Sequence, residues 1–134
     1  MLNSDKVTEM EYIQTDDALK PAGHYSQAIK HAGLLYVSGQ LPIDPNTGEK
    51  VTGDIDTQAR CVFDNIKLIL NEAGTDLNQV IKLVIYISSV DLWNRVNDIC
   101  GEYFVNHKPV RTIVPTRDLH FGLSIEIDCI AVCH

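Results

Sequence analysis

The sequence predicts an α+β fold in which helices alternate with strands and a strand closes the chain. Three stretches carry that reading. Ile55 to Ala73 places apolar residues in steps of three and four, Val80 to Ser88 is a β-branched apolar run, and Leu123 to Val132 alternates residue by residue.

The elements follow in order. Glu11 to Thr15 suits a short edge strand, and Asp16 to Gly23, with Pro21 and Gly23, suits a loop. Tyr25 to Ile29 is extended. Leu34 to Gly39 is a strand, after which Asp44-Pro45-Asn46-x-Gly48 carries turn chemistry. Asp54 or Asp56 can cap a helix whose inner face is Ala59, Val62, Phe63, Ile66, Ile69, Leu70 and Ala73, with Gly74 as its stop. After the Val80 strand, Asp91 can cap a second helix, with Trp93, Val96, Cys100, Tyr103 and Phe104 turned inward. Val110 to Thr116 and Leu123 to Val132 are the closing strands. In the latter, Ile125, Ile127, Cys129 and Ala131 share one face and Glu126, Asp128, Ile130 and Val132 the other.

The 134 residues suit one domain spanning 1–134, with 1–12 as a flexible or edge extension. With 45% apolar and 22% charged residues the chain is globular in composition. A formal charge of -7 argues against general nucleic-acid or anionic-membrane binding. The four cysteines form no C-x-x-C pair and read as buried free thiols, and no His/Cys cluster has metal-ligand spacing, so no metal is expected. The polar start, Met1 to Lys6, lacks the marks of a signal peptide, and a cytoplasmic protein is expected.

Two charges stand out in the closing strands. If Val110–Thr116 and Leu123–Val132 form a hairpin around Arg117–Gly122, Arg111 lies opposite Glu126 with Cβ atoms about 5 Å apart. Two readings stay open on pattern alone. One is a plain cross-strand ion pair. The other is a ligand site in which Arg111 forks a carboxylate and Glu126 holds water or moves a proton.

The segments Gly23-His24-Tyr25-Ser26-Gln27-Ala28 and Leu35-Tyr36-Val37-Ser38-Gly39-Gln40-Leu41-Pro42 are distinctive together. With Gln58-x-Arg60, Pro109-Val110-Arg111 and Ile125-Glu126-Ile127-x-Cys129-Ile130-Ala131-Val132, the chain from about Ile13 onward resembles the Rid family (reactive intermediate deaminase, also called YjgF). The resemblance implies a chorismate-mutase-like fold, a mixed sheet with two helices on one face, assembled as a homotrimer with sites between subunits. It implies a cofactor-independent deaminase that hydrolyses 2-imino acids or their enamines, released by pyridoxal-phosphate dehydratases, to 2-oxo acids and ammonia. By position, Arg111 matches the carboxylate clamp and Glu126 the water holder. Tyr25, Ser38, Gly39 and Asn97 match positions lining the cleft. On pattern alone each of these four has an equally ordinary structural use.

Three positions depart from the family's usual residues: His24 for Pro, Ile113 for Cys and Pro115 for Glu. A proline on that strand requires an edge or a bulge. Two other functions fit the same residues. One is a non-catalytic binder of small 2-oxo acids. The other is an endoribonuclease or translation inhibitor, which the acidic charge disfavours.

Overall fold

The computed structural model describes residues 9–134; the polar start read above lies outside them. Six strands form one mixed sheet: β1 (Met10–Ile13), β2 (Ala28–His31), β3 (Leu34–Gln40), β4 (Val80–Ile87), β5 (Val110–Pro115) and β6 (Ile125–Val132). Among the described residues two α-helices, α1 (Ile55–Ala73) and α2 (Trp93–Tyr103), alternate with them in the chain. The strand order is β1-β2-β3-β6-β4-β5, antiparallel except for the β4–β5 pair.

α1 forms as its periodicity dictates. Ala59, Val62, Phe63, Ile66, Ile69 and Leu70 are fully buried. Asp54 caps it by accepting from the Thr57 amide, and Gly74 ends it in the left-handed conformation at φ 85°. The second cap falls elsewhere. Asp91 caps nothing; Ser89 accepts from the Asp91 amide and starts a short 3₁₀ turn that runs into α2. Trp93, expected inside, lies at the first position of α2 and is 38% exposed.

The inner face of the sheet meets the helices. Leu35, Leu83, Ile85, Ile87, Ile125, Ile127 and Ala131 are fully buried there with the α1 stripe and Val96 and Ile99 of α2. Phe63 anchors this core, stacked on Tyr103 at 4.9 Å and edge-on to Phe104 at 5.8 Å. Three buried amides of the sequence motifs hold loops rather than ligands. Gln27 bonds the Thr15 amide and the Leu19 carbonyl. Gln58 accepts from the Ser124 amide and donates to Gly53, and Asn65 donates to Ile43. Each satisfies backbone groups that burial would otherwise leave unpaired.

The expected closing hairpin is absent. β6 pairs with β3 on one side and β4 on the other, and β5 pairs only with β4, in parallel. The connection from β5 to β6 passes over the end of β4. The Thr116 amide donates to Ile87 O at 2.8 Å, and the Ser88 amide to Ser124 O at 3.0 Å. β4 takes the central place because its inner residues are wholly apolar, whereas Pro115 cannot donate to a partner on both sides. Pro115 thus sits on an edge strand, as its chemistry requires.

Candidate functional site

The register separates the two charges that the sequence placed together. Arg111 is level with Leu83, and Glu126 with Tyr86, on opposite sides of β4. Leu83 is buried on the helix-facing side, so Arg111 leaves the sheet on that side. Ile125 and Ile127 are buried beneath the helices, so Glu126 leaves the other side, which no helix covers. The pair is therefore neither a cross-strand ion pair nor a single-chain clamp. Each charge heads its own half-site.

The first half-site belongs to Glu126. Beside it β3 breaks register between Val37 and Gln40, and the irregularity presses Gly39 against the carboxylate. A Cβ at Gly39 would lie 2.2 Å from Glu126 Oε2, so glycine is what allows the approach. Ser38 is fixed next to it: its hydroxyl donates to Ser26 O at 2.5 Å and its amide to Gln27 O at 3.1 Å. These bonds tie the Tyr25–Gln27 segment to the same end of β3. Tyr25 is half exposed, and its hydroxyl accepts from the Ala22 amide at 3.3 Å. It is not a core tyrosine.

Burial pushes the Glu126 carboxyl above the ordinary range, opposed by the charge of His120 and reinforced by Asp128. Burial raises Asp128 as well, against a hydrogen bond from Tyr86 and the charge of Lys82. A carboxyl held above its usual range takes up and returns a proton more readily near neutrality.

The second half-site belongs to Arg111. Its Nη1 donates to Asn97 Oδ1 at 2.9 Å, and its guanidinium carbon stands 5.5 Å from the Trp93 ring centroid. Asn97 and Trp93 lie one turn apart on α2, so the helix presents both to the strand. Arg111 is half-buried and, among the described residues, forms no ion pair, whereas Arg60 pairs with Glu102 and Arg95 with Asp56 and Asp98. A cleft of about 540 Å³ opens beside it between α2 and β5, walled by Asn97, Cys100, Phe104, His107, Lys108 and Arg111.

Of the residues singled out from sequence, Glu126, Gly39 and Ser38 come together at one site, with Tyr25 tied to it through its chain neighbour Ser26. Arg111 and Asn97 come together at the other. Trp93, whose spacing predicts a core position, is instead the surface under the guanidinium. Asp128 and Tyr86 were missed, although strand alternation already set Asp128 on the Glu126 face. His107 is not a free surface residue, because its Nε2 meets Val80 O at 2.5 Å. Among the described residues no group of three His, Cys, Asp or Glu side chains could hold a metal, and no helix is long and apolar enough to cross a membrane.

A six-stranded α+β sheet whose uncovered face bears Glu126 and Asp128, with Arg111 on the far side forming no ion pair among the described residues, is a fold of known kind. Residues 15–133 match the family described as Endoribonuclease L-PSP. A RutC family protein of Pyrococcus horikoshii is 47% identical over 90% of this chain and 96% of its own length. RidA from an Antarctic Psychrobacter superposes with a TM-score of 0.87 at 36% identity, covering 91% of this chain and 98% of that one. TdcF of E. coli, solved with bound serine, superposes with a TM-score of 0.87 at 30% identity, covering 92% and 99%. The chain belongs to the L-PSP family, which includes the Rid proteins that its motifs resemble.

Proposed function

We propose that the protein is a deaminase that hydrolyses reactive 2-imino acids, or their enamine tautomers, to 2-oxo acids and ammonia. The observation that carries this reading is Arg111, a half-buried guanidinium set by Asn97 and Trp93 and without a carboxylate partner among the described residues. A cation held in that state is poised for an anion supplied from outside, and its free donors suit a carboxylate fork. TdcF with bound serine supports a ligand that carries a carboxylate.

The second catalytic group is Glu126, with Gly39, Ser38 and Tyr25 beside it. Glu126 and Arg111 leave opposite faces of one chain with β4 between them, so both can reach one small ligand only if a second copy supplies one of them. A homotrimer with three such seams satisfies this. Its contact surface is the uncovered sheet face, where Tyr36 is 44% exposed beside half-buried Ile130 and Val84.

In the reaction Arg111 holds the imino acid by its carboxylate. Water positioned by Glu126 of the neighbouring copy adds to the imine carbon, forming the C–O bond while nitrogen takes up a proton. Nitrogen of the tetrahedral adduct then takes a second proton and the C–N bond breaks; ammonia leaves with the electron pair, and the hydroxyl proton, passed through Glu126 or solvent, replaces the one nitrogen took, which leaves the 2-oxo acid. The imine is already electrophilic, so positioning is the larger share of the work.

Purified protein added to a dehydratase that generates 2-iminobutanoate should accelerate release of 2-oxobutanoate, and Arg111→Ala should abolish the acceleration. Folded wild-type protein that gives no acceleration over buffer contradicts the reading. If it binds 2-oxobutanoate all the same, it is a sensor rather than a deaminase.

A further inference from the structure

We propose that the cleft beside Arg111 receives a second acidic group, so that the preferred ligands are small dicarboxylate-type imino or oxo acids rather than monocarboxylates. This rests on Arg111 as the clamp for the first carboxylate, and it names the substrate class.

The first observation is charge. The chain carries a net -7, yet this cleft is lined by Arg111, Lys108 and His107 and by no aspartate or glutamate among the described residues. Neither Arg111 nor Lys108 forms an ion pair there, although the same helix layer pairs Arg60 and Arg95 with carboxylates. On this chain's own surface, two cations that form no ion pair among the described residues focus a positive potential at one concavity where a dianion would enter.

Size is the second. A cleft of about 540 Å³ falls within the roughly 300–1,000 Å³ typical of small-molecule sites. That exceeds what a three- or four-carbon acid on Arg111 would fill. Gly101 lies in the wall and adds no side chain, which leaves the space open.

The third is a fixed wall. The Val80 carbonyl accepts from His107 Nε2, which sets the ring's hydrogen on that nitrogen and fixes the ring plane. Nδ1 has no protein partner among the described residues. Phe104 and the apolar wall beside it supply the surface for the carbons between the two acidic groups. The ligand is thus read as one carboxylate on Arg111, a short carbon chain along Phe104, and a second carboxylate on Lys108.

The test is calorimetry with 2-oxobutanoate and 2-oxoglutarate on wild type, Lys108→Gln and Lys108→Glu, together with hydrolysis of imines made in situ from neutral and acidic amino acids. One charge-assisted hydrogen bond in a half-enclosed cleft predicts about tenfold tighter binding of the dicarboxylate by wild type. Lys108→Gln should erase that preference and Lys108→Glu should reverse it. Equal affinities in wild type, or a preference that survives Lys108→Glu, overturn the proposal while leaving the deaminase reading intact. Dicarboxylate preference without hydrolysis of any imine supports it and overturns the deaminase reading. Binding of neither acid overturns the proposal, and if no imine is hydrolysed either, the deaminase reading falls with it.

Discussion

Gly39→Ala isolates the Glu126 half-site without touching a charged group. The added Cβ would stand 2.2 Å from Glu126 Oε2, 3.1 Å from its Cδ and 3.4 Å from its Cγ. Van der Waals contact requires the oxygen to retreat by about 1 Å. Gly39 is not among the glycines with positive φ, so alanine fits the backbone there. The atom displaced is the end of a flexible side chain, so the stability cost should stay under about 1 kcal/mol, below the 1–3 kcal/mol of overpacking a rigid core. Activity should respond differently, because a misplacement of about 1 Å in a positioning group costs on the order of 10²-fold. The assay is imine hydrolysis by wild type, Gly39→Ala, Glu126→Ala and the double variant, each checked by thermal melting. The two single variants should lose similar amounts, and the double variant should be no worse than Glu126→Ala alone, since both act through one carboxylate. A fully active Gly39→Ala protein with an unchanged melting temperature would refute the role given to Glu126.

Three further outcomes follow from the same structure. Burial holds the folded Glu126 carboxyl above its ordinary 4.5, so its contribution to stability is fully present below that value and is lost as pH rises through the elevated range. Glu126→Gln should therefore gain in melting temperature relative to wild type as pH rises above 4.5, and a pH-independent difference would count against the burial argument. Phe63→Ala removes a fully buried ring stacked on Tyr103 and should cost about 3–5 kcal/mol in denaturant unfolding. Among the thiols, Cys61 is partly exposed while Cys100, Cys129 and Cys133 are buried, with Cys129 pushed up to about 12 by burial; peptide mass mapping after brief alkylation should find Cys61 labelled first.

Local chemistry was legible wherever the deciding interaction is short in range. The α1 stripe, its Asp54 cap and its Gly74 stop are all set within a few residues, and the alternation of β6 follows from strand geometry alone. Pairing was not legible in the same way. Proximity in sequence favours a β5–β6 hairpin, but the better buried β4 lies between them and β5 is left at the edge with Pro115. That substitution of neighbours moved Arg111 and Glu126 to opposite faces and changed the meaning of the pair. The motif amides Gln27, Gln58 and Asn65 were visible as residues but not as loop staples, because their partners are backbone groups 12, 66 and 22 residues away. Trp93 misled because an aromatic at helical spacing reads as core, whereas its place at the start of α2 leaves it under Arg111.

The central claim is that one site draws Arg111 and Glu126 from different copies of the chain, and subunit complementation tests it most directly. Arg111→Ala and Glu126→Ala chains are each expected to assemble and to be inactive. Unfolded together and refolded as a one-to-one mixture, they should recover about a quarter of the wild-type sites in a cyclic assembly, because that share of seams joins an intact Arg111 to an intact Glu126. A mixture as inactive as its parents, with mixed assembly verified by mass, would contradict a site shared between copies.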